Sequence, residues 1–296
     1  MSMKKFALRS LSLIAGLGLV VASTAGASAT DPTVPPPAPG GAVFLGTDMN
    51  GVNGPAADPD GTGRVVVRIQ GVQVCFLVQW NRILAPTTAH IHEAPVGSNG
   101  PVTVGFWRGE LPASVRGVTG CVTSTAETLA AIVANPAAYY VNVHDATYPA
   151  GAIKGQLEVL DRGVDFNSVL RLPLTAQLDG MQELPGAGDP DGRAVGFVRL
   201  RAKETVHYAF NWSAIAPPTA AHVHVGSVGQ IGGAVVPLFA APTGLPATLT
   251  GVNGEVRVES AVYKAINRRP WEYYLNLHNA EFPAGAVRGQ LARASR

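Results

Sequence analysis

The chain has 296 residues, a formal net charge of +2, 34 glycines and 23 prolines, and only 14% of its residues are charged. A near-neutral chain with few Lys/Arg clusters argues against nucleic acid and against an anionic membrane surface as partners. So many turn formers suit short strands rather than helices. The N-terminus reads as an export signal. Lys4, Lys5 and Arg9 precede an apolar stretch, Leu11 to Val21, that is too short to span a bilayer, and Ala27-Ser28-Ala29 supplies small residues for cleavage. The expectation is a signal peptide over 1–29 cleaved after Ala29, and a secreted or periplasmic mature chain with a net charge of about −1 and no transmembrane segment. Residues 30–41 (DPTVPPPAPGG from Asp31) form a Pro-rich linker.

A first domain follows over 42–160. Strands are expected at Ala42 to Asp48, Gly63 to Gln70, Gln73 to Trp80, around His90 and His92, at Val102 to Phe106 and at Gly120 to Thr123. Ser124-Thr-Ala-Glu127 has the form of a capping box opening a short helix, which Asn135-Pro136 ends. A hairpin, Tyr139 to Leu157, closes the domain, and Asp161 to Ser168 is a connector. The second domain, 169–293, repeats this order: strands at Leu170 to Gln177, Ala194 to Arg201 and Thr205 to Trp212, a strand with His222 and His224, a helix from Ser260 to Asn267, and a hairpin from Tyr273 to Leu291. The two hairpins read YYVNVHDATYPAGAIKGQL and YYLNLHNAEFPAGAVRGQL, identical at twelve of nineteen positions. A period of this length is a domain duplication. The fold class is therefore all-β: two tandem Greek-key-like β-sandwich domains, each with one short helix.

Cys75 and Cys121 are the two cysteines, both in the first half. An even pair in an exported chain pairs most simply as one disulfide, stapling one domain. DPDG at Asp58 and at Asp189 has the Asp-Gly signature of a turn and lacks the later Glu of a calcium loop. Trp80 and Trp212 end matching strands and are expected against a sheet edge, and Glu110, Glu127 and Glu183 form no recognisable pair.

Strand side chains alternate between faces. Ile91, Val141, Val143 and Ile153 form one apolar face, so His90, His92, Asn142, His144 and Lys154 share the other. The second half repeats this with His222, His224, Asn276, His278 and Arg288. Two His at i and i+2 on a strand can reach one ion, and a third from an adjacent strand completes a three-nitrogen site suited to zinc or copper. His90, His92 and His144, and again His222, His224 and His278, are the candidate metal ligands. Copper ranks first because it heads the stability order for nitrogen ligands. The competing expectation is that these side chains hydrogen-bond loop backbone and lock the hairpin.

With the His-x-His, the Asn-x-His and the terminal Pro-x-Gly-x-(Lys/Arg)-Gly-Gln-Leu, the chain resembles a tandem of chordin-type (CHRD) domains over nearly all of its mature length. The resemblance implies a secreted β-sandwich module. In animal chordin such domains belong to a growth-factor-binding protein, so it also leaves room for an unknown protein partner. The order of strand pair, His-x-His, late His and cation is similar to copper-zinc superoxide dismutase, and HIHEAPVG from His90 is like that family's His-Val-His-Glu. That similarity implies copper on His90, His92 and His144 with Lys154 as a catalytic guiding cation, and on His222, His224 and His278 with Arg288. No bridging His and no zinc cluster accompanies them, so any enzyme would be a copper-only, superoxide dismutase-like oxidoreductase. The alternative function is a non-enzymatic extracellular adhesion or protein-binding module with structural histidines.

Overall fold

A computed structural model describes residues 41–51, 57–95, 97–161, 163 and 173–294. The signal segment, most of the Pro-rich linker and most of the connector lie outside the described residues.

In the first half, β1 (Val43–Asn50), β2 (Thr62–Gln70), β3 (Gln73–Asn81) and β6 (Val115–Thr123) form one antiparallel sheet in the order β1-β2-β3-β6. The other sheet has the order β5-β4-β7-β8, from β4 (Pro86–Glu93), β5 (Val102–Arg108), β7 (Tyr139–Asp145) and β8 (Ile153–Gln156). The sheets meet along one side. Asn50 of β1 pairs with Lys154, and Leu45 pairs with Val159 of the short β9 (Glu158–Val159). The helix α1 (Ala126–Ala134) bridges β6 and β7. Its N-cap is Thr125, whose side chain accepts from the Thr128 amide, one residue later than the capping-box reading from Ser124.

The second half repeats the plan. The order β10-β11-β12-β15 comes from β10 (Leu174–Asp179), β11 (Arg193–Arg201), β12 (Thr205–Ser213) and β15 (Leu249–Arg257). The order β14-β13-β16-β17 comes from β13 (Pro218–Val225), β14 (Ala234–Ala240), β16 (Tyr273–Asn279) and β17 (Val287–Gln290). The helix α2 (Ser260–Arg268) precedes β16, and β18 (Ala292–Arg293) pairs with β10.

Alternation builds each core. Ala89, Ile91, Val141, Val143 and Ile153 are fully buried inside the first half, as are Val223, Leu275, Leu277 and Val287 in the second. Phe76 stacks on Phe106 at 4.6 Å, and Trp80 lies in the core beside Trp107 at 6.3 Å, not at an edge as its position suggests. Cys75 faces Cys121 across β3 and β6 and is bonded to it. The second half has His207 facing Glu255 at the same place, 3.4 Å apart. The disulfide closes a loop of 46 residues, which by chain entropy is worth about 4 kcal/mol.

β6 is longer than its expected core, Gly120 to Thr123, because its first residues pair with β15 and join the halves into one continuous sheet. The seam is self-complementary. Val118 faces its own counterpart Val252, while Gly117 faces Asn253 and Thr119 faces Gly251. The Cys121 amide donates to the Thr248 carbonyl, and its counterpart Glu255 donates to that of Ser114. Gly254 is required here because a Cβ would run into the Ser114 carbonyl and the Tyr208 hydroxyl. Gly254→Ala is expected to cost about 1–3 kcal/mol, the range for overpacking. Chemical denaturation of the variant beside the wild type measures it, and an unchanged midpoint would show the seam to be loosely packed.

Candidate metal centres

The register of β4 against β7 assembles the first site. Thr88 faces His144, His90 faces Asn142, and His92 faces Tyr140. β8 extends two of these rows, with Lys154 opposite Asn142 and Gln156 opposite Tyr140. Since Ala89 and Ile91 point into the core, His90 and His92 must point to the opposite face. In the second half His222 faces Asn276, His224 faces Tyr274, and Ala220 faces His278, with Arg288 opposite Asn276. The donor atoms of His90, His92 and His144 all lie within 4.8 Å of one another, and so do those of His222, His224 and His278.

This face is covered by loops rather than open. His92 and His144 are each 8% exposed, Lys154 2% and Arg288 3%. The β4–β5 loop lays the Gly100 carbonyl 3.0 Å from His92 Nδ1. The β7–β8 loop lays the Pro149 carbonyl 2.9 Å from His144 Nδ1. A carbonyl only accepts, so both rings carry their proton on Nδ1 and keep a lone pair on Nε2. The same holds for His224, with Gly232 at 3.0 Å, and His278, with Pro283 at 3.1 Å.

In the first site the inward nitrogens are left without partners. His90 Nδ1, His92 Nε2 and His144 Nε2 are all buried and find no hydrogen-bond partner among the described residues. Unpartnered buried polar atoms are costly and uncommon, and three converging on one point have the arrangement of a ligand set. In the second site His224 Nε2 is likewise without a partner, while His222 Nδ1 lies 3.0 Å from His278 Nε2.

The rings are neutral in the folded protein. Burial, then the neighbouring imidazoles, holds His90 and His222 down at about 4. Burial also lowers His92, His144, His224 and His278, partly opposed by their carbonyl bonds. Lys154 lowers His92 and His144 further, and Arg288 lowers His224. Neutral imidazole is the form that binds a metal.

Behind each site stands a column of cation, tyrosine and imidazole. His92 stacks on Tyr140 at 4.9 Å, with Lys154 Nζ 5.0 Å from the same ring. His224 stacks on Tyr274 at 4.9 Å, with the Arg288 guanidinium 3.5 Å from that ring. Arg288 also donates to the Gln230 carbonyl at 2.6 Å. The two expected guiding cations are thus buried beside the histidines.

Sequence reasoning missed two participants. Thr88 precedes the His-x-His by two residues and donates its hydroxyl to the Trp107 carbonyl at 2.6 Å while standing 3.0 Å from His90 Nε2. Its position on the histidine face was legible from alternation, but a threonine there carries no motif. Glu183 is 5% exposed and accepts from Asn276 Nδ2 at 3.4 Å, and its carboxylate lies where a Cβ on Gly285 would be. Burial pushes Glu183 up to about 7, against the pull of Arg288. No local pattern marks it, because its partners are some ninety residues away.

These shifts set the pH dependence of the metal-free protein. A histidine held below its unfolded value contributes fully above about 6.5 and loses that contribution as pH falls toward about 4. All seven histidines shift this way. Glu183 has the opposite sign, its contribution falling as pH rises through about 7. Asp189, which burial also raises, shares the sign of Glu183, but seven groups outweigh two, so the thermal midpoint is expected to drop between pH 7 and pH 5. Glu183→Gln should raise it at pH 8 and much less at pH 5. Calorimetry across that range decides both, and a midpoint flat from pH 7 to pH 5 would contradict neutral buried imidazoles.

The sequence model of the CHRD domain matches residues 44–157 and residues 174–291. No curated protein matches the chain. Both matched segments carry the same three-histidine face, and together they span most of the sequence. The chain belongs to the CHRD-domain family, with two copies of the domain in tandem.

Proposed function

We propose that this is an exported metal-binding protein whose two domains, 42–160 and 169–293, each hold one transition-metal ion on three histidines, copper in preference to zinc. The observation that carries the reading is the trio of buried nitrogens, His90 Nδ1, His92 Nε2 and His144 Nε2, that face one another without partners. A purely structural role accounts for the outward nitrogens, which hold the Gly100 and Pro149 carbonyls. It gives no reason to bury three more lone pairs at a cost of about 1–3 kcal/mol each. Three imidazole nitrogens satisfy zinc or copper and leave a coordination position for a small ligand.

Export is supported by the signal-like N-terminal sequence and by the Cys75–Cys121 disulfide, which belongs to an oxidising compartment. Among the described residues no helix is long and apolar enough to cross a membrane. Copper cycling between two oxidation states at such a site would suit one-electron chemistry on a small anion such as superoxide. Lys154 and Arg288 would contribute as buried positive charges beside the ligands rather than as an exposed guide. A second reading is a protein-binding module. It draws on Val225, Val228, Ile231 and Trp271, which are exposed apolar residues in and around the β13–β14 loop.

The test is a copper and zinc titration of the mature protein beside a His144→Ala/His278→Ala double variant. Close to two equivalents bound by the wild type and lost in the variant is the expected result, and it justifies a superoxide assay. No binding above background, with a variant that only melts earlier, would make the histidines structural and turn attention to the apolar rim.

A further inference from the structure

The two sites look like copies, yet they differ at one atom that controls which nitrogen of the leading histidine is available. In the first site the Thr88 hydroxyl has a single proton and gives it to the Trp107 carbonyl, 2.6 Å away. Toward His90 Nε2, 3.0 Å away, that oxygen can therefore only accept. His90 must carry its proton on Nε2, and its Nδ1 lone pair faces His92 and His144. With the Gly100 and Pro149 carbonyls fixing the other two rings, all three lone pairs are set before any metal arrives.

The second half has Ala220 at the place of Thr88, facing His278 as Thr88 faces His144. The methyl group can accept nothing. The Pro283 carbonyl fixes the proton of His278 on Nδ1, so His278 Nε2 is an acceptor. The 3.0 Å contact from His222 Nδ1 to that atom then requires His222 to donate from Nδ1. The proton sits on the nitrogen that faces the other two histidines, and it must leave before that nitrogen can bind a metal.

On the reading that these histidines bind metal, we infer that Thr88 is a positioning residue that presets the first site, and that Ala220 leaves the second site in the opposite tautomer, so that the first site binds metal more tightly. Partners in the second shell of a metal site typically change affinity by about 10- to 100-fold. The relay Trp107 carbonyl–Thr88–His90 orients one ligand, and the second site has to rearrange a proton and break a hydrogen bond between two of its ligands.

The sites can be separated in the full-length chain with His278→Gln, which leaves the first intact, and His144→Gln, which leaves the second. Copper(II) competition against a chelating dye should give the first site the advantage by roughly tenfold or more. Thr88→Val keeps the shape and should weaken the first site by a similar factor, whereas Ala220→Thr in the His144→Gln chain should strengthen the second. Imidazole nitrogen NMR of the metal-free protein supplies a readout that a merely structural threonine would not move. His90 should report a proton on Nε2 and His222 a proton on Nδ1, and each should switch in its Thr88 or Ala220 variant. Equal copper affinities, or an Ala220→Thr chain that binds no better, would overturn the inference while leaving the metal reading in place. Absence of copper binding in wild type and variants alike would sink the metal reading and the affinity ranking together. The same spectra then decide the tautomer assignment alone, and identical tautomers in His90 and His222 would refute it.

Discussion

The register of one strand pair governs the histidine face in each half. β4 must lie against β7 so that His90 meets Asn142 and His92 meets Tyr140. A slip of one residue would turn His90 and His92 into the core and Ala89 and Ile91 out of it. The register is therefore enforced by apolar burial: Ala89, Ile91, Val141 and Val143 are all at 0% exposure. Burial of an isoleucine or valine is worth about 1.5–3 kcal/mol. The site takes its geometry from the hydrophobic alternation behind it, and so two copies of the alternation give two copies of the site.

Alternation places the rings, but loops decide what they can do. His92 and His144, and likewise His224 and His278, each have one nitrogen committed to a loop carbonyl, in the β4–β5 and β7–β8 loops of the first half and the β13–β14 and β16–β17 loops of the second. The bond locks a tautomer and by itself favours the protonated ring, but burial of the ring outweighs it and lowers the proton affinity. Bond and burial together thus do what both expectations for these histidines asked, holding the loops and presenting a neutral donor. The structural and metal-binding readings are not exclusive at the outer nitrogen. They part at the inner one.

Much of this was legible in the sequence, for reasons that can be named. The all-β class and the two histidine trios followed from local alternation, the duplication from internal repetition, and the disulfide from an even cysteine pair in a chain read as exported. The seam between β6 and β15 was not legible. Val115 to Gly120 (VRGVTG) is a glycine-rich stretch whose strand signal is weak, and its glycines exist because the partner chain segment approaches so closely. Nor was Glu183, whose neighbours Asn276, Gly285 and Arg288 all come from the far end of the chain. Burial of the guiding cations also escaped the pattern, since alternation says which face Lys154 and Arg288 occupy and not what lies over them.

The seam gives the duplication a physical meaning. Its pairing has the form of a two-fold contact, with Val118 and Val252 at the centre and equivalent backbone bonds, Cys121 to Thr248 and Glu255 to Ser114, on either side. An isologous interface of two identical domains has this form. Fusing two such domains into one chain frees each copy to diverge without breaking the contact: the two seam strands share Gly117 with Gly251, Val118 with Val252 and Gly120 with Gly254, while the positions next to these differ. The disulfide of one half is His207 and Glu255 in the other. Thr88 is Ala220, and Glu183 stands in a segment where the first half, from Gly51 to Ala57, has no acidic residue. Residues that fix the register are kept in kind, as are the tyrosines under His92 and His224 and the loop carbonyls that hold the rings, and the differences between the halves lie beside them.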